Sequence, residues 1–202
     1  MHIPDGVLSI NVILSTYVAL MGVTYVAFSR ISKIWSSSLA GKTSSIAALT
    51  FAAQMINWPI PGGTSLHFVG GALSGIVLGP WAGFTAMLIV LLVQALIFHD
   101  GGLTALGANA INMAVVAVFS GYVLYKLLSR RSTWIAGFTS GWLSVFLAGA
   151  LCGVELWLSN PISITPLVVM ALWHAALGVI EGAITASAIA YVKKKAPQII
   201  EV

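Results

Sequence analysis

The first two residues of the chain carry nitrogen atoms that can chelate a metal ion. The sequence begins Met1-His2-Ile3-Pro4-Asp5, so a free α-amine, the His2 backbone nitrogen and the His2 imidazole can close two fused chelate rings on one ion. These three nitrogens lie in a plane, and one more nitrogen donor would complete a square. Square-planar nitrogen ligation suits Ni(II) or Cu(II), whereas tetrahedral sites suit zinc. The chelate requires that Met1 stay in place, and we expect the bulky His2 to prevent its removal.

The fourth donor must come from elsewhere in the chain, and His67 is our candidate. It follows a glycine-rich turn, where we expect it to open a helix. His99 lies in a predicted turn, where three roles stay open: a ligand, a group that supports the ligands, or a solvated loop histidine. His174 and Glu181 are seven residues apart on one predicted helix face. The ordinary role of Glu181 would be a buried carboxyl hydrogen-bonded to neighbouring helices.

Several further polar residues are predicted at the same end of the molecule as the chelate. Two roles stay open for Asp5: it can accept a hydrogen bond from an imidazole and fix its tautomer, or it can cap the first helix. The residues expected to support the ligands are Asp5, Thr64, Ser65, His99 and Asn109.

The composition is that of an integral membrane protein. Of 202 residues, 59% are hydrophobic and only 7% are charged, whereas about a quarter of a soluble domain is charged. One cysteine, Cys152, excludes an internal disulfide framework and a multi-cysteine zinc site. No basic residues precede the first apolar run, so we expect no cleavable signal peptide. The net charge of +4 reflects three clusters of Lys and Arg that fit cytoplasmic loops, not nucleic-acid binding.

Turn and helix-stop signals divide the chain into seven predicted membrane spans. Lys42 and Lys126 should share the cytoplasmic side, so an even number of crossings must separate them. Four crossings satisfy this, which places the N-terminus outside, inserted toward the core, and the C-terminus in the cytoplasm. We expect an all-α bundle forming a single transmembrane metal-capture domain over residues 1–202, with spans at 10–29, 43–57, 65–79, 81–98, 103–127, 133–158 and 165–191.

Small residues recur at four-residue spacing in the third predicted span. Gly71, Gly75 and Gly79 would form one stripe along a helix. Small residues on such a stripe let helices approach closely in lipid, where packing drives association. The stripe therefore predicts tight packing within the bundle, with a subunit-docking face as the alternative.

Three segments resemble the CbiM/NikM family, the substrate-capture subunits of energy-coupling-factor nickel and cobalt transporters. The N-terminal run of residues 1–9 carries the most specific likeness, and residues 61–71 and 100–109 add to it. The resemblance spans essentially the whole chain. It implies that Met1 gives its amine, His2 its backbone and side-chain nitrogens, and His67 its imidazole. Leu66 and His99 depart from the family pattern, and the form of residues 61–71 is closer to the nickel branch.

The resemblance also implies a set of partners and a location. These are a transmembrane coupling subunit, cytosolic ATPase subunits and a small accessory membrane protein, in a prokaryotic plasma membrane. It implies no cofactor and no nucleic acid, only Ni(II) or Co(II) as the bound substrate. Docking through small residues of the first helix would use Ser15, Ala19 and Ala27, although Val23 interrupts that stripe.

Two other functions stay open at this point. An intramembrane metal-dependent hydrolase would use His67, His99, His174 and Glu181, although no close pair of ligands such as H-E-x-x-H occurs. A self-sufficient metal carrier would call for more than one carboxylate in the spans, and Glu181 is read as nearly alone. We therefore expect a transport subunit without its own enzymatic activity.

Overall fold

Long helices dominate the computed structural model, which describes residues 1–60 and 64–200. Five of the helices are long and apolar enough to cross a membrane, namely all but α2. The six helices are α1 (Ile10–Ile31), α2 (Ser37–Gln54), α3 (Gly71–Phe98), α4 (Leu106–Leu128), α5 (Thr133–Ser159) and α6 (Thr165–Lys195).

A short β-hairpin joins α2 to α3, so the bounds of the predicted second and third spans are wrong. Strands β1 (Asn57–Ile60) and β2 (Thr64–His67) pair antiparallel, with Asn57 opposite His67. The segment 65–70 is therefore not helical, and His67 ends a strand instead of opening a helix. The predicted span 43–57 is likewise replaced by α2, which begins earlier and ends at Gln54. The predicted break at Trp58–Gly63 falls partly on residues 61–63, outside the described residues.

Helix α3 turns back on itself at Gly79, where the sequence Gly79-Pro80 predicted a break. Gly79 has φ 75° and ψ 167°, a conformation that favours glycine. A Cβ added at Gly83 would lie 3.0 Å from the Gly75 Cα, yet residues eight apart on a straight helix are separated by about 12 Å. The two arms therefore pack against each other. The count of seven spans stays a prediction.

Glycine faces allow the helices to approach closely, as the stripe predicted for Gly71 and Gly75, whereas Gly79 instead forms the reversal of α3. A Cβ on Gly71 would overlap Ala117 of α4, and a Cβ on Gly75 would lie 2.6 Å from the Val118 carbonyl oxygen. Helices α5 and α6 meet in the same way, because a Cβ on Gly141 would lie 2.8 Å from the Gly182 Cα. In lipid such packing replaces the hydrophobic driving force that holds soluble cores together.

The N-terminal segment, residues 1–8, enters this bundle before α1 begins. Met1 and Ile3 have no solvent exposure, and His2 is 4% exposed. Buried backbone polar groups need hydrogen-bond partners, so the bundle must supply them. The same elements that bury the segment therefore determine the geometry at Met1 and His2.

Substitution of Gly71 tests the packing between α3 and α4. We expect Gly71→Ala to lower the free energy of unfolding by about 1–3 kcal/mol, because the new methyl group overlaps Ala117. Gly22→Ala is the matched control, since nothing lies within 4 Å of a Cβ at that helical position. Thermal unfolding in detergent measures both. Equal melting temperatures for the two variants would contradict the packing.

Candidate metal centre

Asn109 of α4 holds the backbone of the N-terminal segment inside the bundle. Its Oδ1 accepts from the Ile3 amide at 2.9 Å, and its Nδ2 donates to the Ile3 carbonyl at 3.1 Å. The Gly102 amide donates to the same carbonyl at 2.9 Å. Both polar groups of this buried peptide are therefore paired, and the predicted supporting role of Asn109 takes the form of a backbone anchor.

Asp5 and Gly102 fix the outer end of the segment. A side chain at Gly102 would overlap the Asp5 amide, so only glycine allows this close approach. Asp5 accepts hydrogen bonds from the Thr104 amide at 2.7 Å and the Thr104 hydroxyl at 2.5 Å, and these bonds lower its pKa. It also accepts from the Leu103 amide at 3.2 Å. Neither predicted role of Asp5 is seen, because it binds the 103–104 turn rather than an imidazole or the start of α1.

The α-amine of Met1 is buried and lies against β2. It donates to the Ser65 carbonyl, and it lies 3.1 Å from the Ser65 hydroxyl. Burial lowers the pKa of this amine from 8.0 to about 5. At neutral pH the amine is consequently uncharged and carries the lone pair that a metal ligand needs. The Cys152 thiol also lies near this residue, 3.9 Å from the Met1 carbonyl oxygen.

The imidazoles of His2 and His67 stack on each other. Their ring centroids are 4.5 Å apart and their planes differ by 19°. His2 Nε2 donates to Gln94 Oε1 at 3.1 Å, and His67 Nδ1 donates to the Phe68 carbonyl at 2.7 Å. The Phe68 carbonyl can only accept, so it fixes the His67 proton on Nδ1. For His2, a proton on Nε2 facing Gln94 leaves the lone pair on Nδ1, which lies 3.3 Å from Asp100 Oδ1.

The other nitrogen of each ring is left with a lone pair. His2 Nδ1 and His67 Nε2 are buried and make no hydrogen bond among the described residues. Burial, followed by the charge of the nearby α-amine, lowers the His2 pKa to about 3, and the same causes lower the His67 pKa well below 6.5. Both rings are therefore neutral, which is the form that binds metals.

Asp100 is the carboxylate nearest to these free nitrogens. Its Oδ1 lies 3.3 Å from His2 Nδ1, and its Oδ2 accepts from Asn57 Nδ2 at 3.0 Å. Burial raises its pKa. An acidic group that faces an unprotonated imidazole nitrogen gives this spot affinity for a cation.

The remaining predicted residues make no hydrogen bond to the stacked rings among the described residues. Thr64 is buried, and its hydroxyl lies 3.0 Å from Met170 Sδ. His174 Nδ1 donates to the Met170 carbonyl at 2.8 Å. The His99 side chain is exposed, and its backbone is in the left-handed region with φ 53°. His99 therefore does not join the buried residues around His2 and His67. Glu181 is fully buried, as its ordinary role required, but it binds backbone amides of residues 69 and 70.

Three polar residues had no predicted role in the metal centre, although Gln94 and Asp100 were expected at the same end of the molecule. Gln94 and Asp100 contact His2, and their positions depend on a π-helical turn at Gln94–Phe98 that no sequence signal predicted. Glu155 of α5 is a second buried carboxylate, to which Asn112 Nδ2 donates at 2.6 Å. The view that Glu181 is nearly alone is therefore wrong. The sequence offered a signal that could have identified Glu155, because a carboxylate within an apolar span is rare and usually functional.

Known proteins resemble the chain over nearly all its length. Residues 2–199 match the CbiM family model, described as the cobalt uptake substrate-specific transmembrane region. The chain is 47% identical over 204 residues to "Putative fused nickel transport protein NikMN" of Archaeoglobus fulgidus, with 100% of the chain and 68% of the relative covered. It is 33% identical to the fused nickel transport protein NikMN of Rhodobacter capsulatus, of which it spans 64% while 99% of the chain is covered.

A solved structure shares the fold. The crystal structure of a truncated transition metal transporter matches with a TM-score of 0.92 and 30% identity, covering 96% of this chain and 99% of that one. The apolar helices that can span a membrane agree with this likeness. The chain therefore belongs to the CbiM family of nickel and cobalt transport proteins and is a multi-pass membrane protein.

Proposed function

We propose that this protein captures Ni(II), or Co(II), in a square of four nitrogens. The donors are the Met1 amine, the deprotonated His2 amide, His2 Nδ1 and His67 Nε2. One observation carries the proposal: among the described residues, His2 Nδ1 and His67 Nε2 are buried without a hydrogen bond, while the opposite nitrogen of each ring faces an oxygen acceptor and Asp100 Oδ1 lies 3.3 Å from His2 Nδ1. Outer hydrogen bonds of this kind fix the tautomer of metal-binding histidines.

Covalent geometry decides which His2 nitrogen takes part. The amine and the amide close a five-membered ring on the ion, and the amide and Nδ1 close a six-membered ring. Because a nitrogen lone pair lies in the plane of its imidazole, two stacked rings do not point at one atom. We therefore expect capture to turn one of the two imidazoles out of the stack.

Charge and geometry together define the preferred ion. The deprotonated amide and the nearby Asp100 carboxyl offset the charge of a dication in an otherwise apolar bundle. Affinity alone would favour Cu(II), which stands highest in the Irving–Williams order. A square of nitrogens disfavours ions that prefer a tetrahedron, and the availability of each metal then decides between nickel and copper.

Transport requires partners that this chain does not contain within its 202 residues. No G-x-x-x-x-G-K-[ST] motif occurs in the sequence, so the energy for uptake would come from cytosolic ATPases through a transmembrane coupling subunit. The relatives named as fused nickel transport proteins support this proposal, because they join a matching region to further protein. We infer an energy-coupling-factor transporter in which this chain is the substrate-specific component, with a small accessory membrane protein.

The orientation follows from the basic clusters. We propose seven crossings, with α3 contributing two through its reversal at Gly79. The N-terminal segment then lies at the outer side and Lys193–Lys195 in the cytoplasm, as the positive-inside rule requires.

Extension of the N-terminus tests the amine and the amide together. We expect two glycines placed before Met1 to abolish tight nickel binding, because a square of four fused nitrogens can then no longer include both the α-amine and the His2 imidazole. Two residues are needed, since a single glycine would let the amine, two amides and the imidazole form a square by themselves. Isothermal titration of the purified protein in detergent, with nickel ion alone, measures this. Two glycines inserted in the loop after Arg131 are the control. Equal affinity of the extended and native proteins would remove the chelate.

Substitution of His67 tests the fourth donor. We expect His67→Ala to weaken nickel binding by more than roughly 100-fold, beyond the loss caused by an outer-shell change, and to shift the ligand-field absorption of the bound nickel. His99→Ala is the matched control, since His99 is exposed, and its affinity should equal that of the native protein. A larger effect at His99 than at His67 would show that the donor set is wrong.

Uptake in cells separates a capture subunit from the alternatives. We expect nickel accumulation only when the coupling and ATPase subunits are expressed with this chain, because a capture subunit has no energy source of its own. Accumulation without those partners would favour a self-sufficient carrier. Metal-dependent peptide hydrolysis by the purified chain would favour an enzyme.

A further inference from the structure

Glu181 of α6 binds the loop between β2 and α3 with both carboxylate oxygens. Its Oε2 accepts from the Val69 amide at 2.7 Å, and its Oε1 accepts from the Gly70 amide at 2.7 Å. The carboxylate is fully buried in the bundle. A buried charge is stabilised only when hydrogen bonds satisfy it, and here two consecutive peptide groups do so. Each amide is fixed in place in return.

Gln54 of α2 holds the same loop from the other side. Its Nε2 donates to the Val69 carbonyl at 2.6 Å. Gly70 has φ 77°, and its carbonyl accepts from the Ser74 amide at 3.0 Å in the first turn of α3. The backbone of residues 69 and 70 is therefore fully engaged by three different helices.

The loop in turn determines the orientation of His67. The Phe68 carbonyl, which immediately precedes the Val69 amide, accepts the His67 Nδ1 proton at 2.7 Å. The Phe68 carbonyl and the Val69 N–H belong to one planar peptide group. Glu181 thus sets the plane of the group that holds the His67 ring, and that ring presents its free Nε2 to the site.

We propose that Glu181 is a positioning residue for metal capture, acting on the His67 imidazole through the Phe68–Val69 peptide. This inference rests on the proposed function, because it assigns Glu181 to the nickel site without direct contact with the ion. A carboxylate deep in an apolar helix is usually functional, and positioning His67 is the specific function that we propose for Glu181. Gln54 assists from the carbonyl side of the next peptide.

Glu181→Gln is the decisive variant because the amide retains only one acceptor oxygen and presents an N–H group to a backbone N–H. We expect nickel affinity to fall by roughly 10–100-fold, the range for loss of an outer-shell partner. At saturating nickel, we expect the ligand-field absorption to move toward that of His67→Ala. Glu155→Gln is the matched control, since Glu155 is also a buried carboxylate but binds Asn112. Its affinity and spectrum should match the native protein.

A double-mutant cycle distinguishes positioning from a general loss of stability. If Glu181 acts through His67, Glu181→Gln will not weaken further the residual nickel binding of His67→Ala. An equal additional loss in that background would overturn the proposal, as would an equal loss in Glu155→Gln or native affinity in Glu181→Gln. If Glu181→Gln does not fold, Gln54→Met, which removes the donor to Val69, replaces it in the same cycle with the same expectations.

Failure of the proposed function has a different signature. Absence of nickel binding by the native protein would remove the function itself. Native binding with an unaltered Glu181→Gln would remove only the positioning role.

Discussion

The structure depends on hydrogen-bonding the backbone polar groups of its N-terminus inside an apolar bundle. Residues 1–3 bring an amine, two amides and three carbonyls out of water, and each unpaired group would cost about 1–3 kcal/mol. Asn109 pairs with both polar groups of Ile3, and Ser65 accepts from the amine. Among the described residues, the buried side-chain atoms without a hydrogen bond include His2 Nδ1 and His67 Nε2, along with Gln94 Nε2 and His174 Nε2. The first two are the imidazole nitrogens that we propose as metal donors.

The proposed chelate of residues 1 and 2 could be predicted from residue types because it depends on covalent distance. The amine, amide and imidazole of residues 1 and 2 are joined by fixed bonds, so no fold was needed to bring them together. The pairing of His2 with His67 was predicted from the need for a fourth nitrogen, and the structure stacks the two rings. The membrane class followed from composition, and the sharp turn of α3 from Gly79-Pro80.

The rest could not be predicted because it depends on tertiary contacts. His67 ends a strand whose partner, Asn57, lies across a hairpin with no alternating hydrophobic pattern to reveal it. Gln94 reaches His2 because the end of α3 widens into a π-helical turn, which tertiary packing selects rather than local propensity. Asp5 was predicted to bind an imidazole or to cap the first helix, but it binds Thr104, which is distant in sequence. Glu181 contacts a loop more than a hundred residues away.

Helix α1 connects this chemistry to the lipid. It is the least buried of the membrane-length helices, and Ile10, Val18, Tyr25 and Phe28 are among its exposed side chains. It begins within two residues of the end of the segment that carries three of the four proposed donors. A spanning helix tilts when its hydrophobic length exceeds the bilayer thickness. Acyl-chain length and lateral pressure would therefore act mechanically on the peptide that carries the proposed donors, which would tie ion retention to the surrounding lipid.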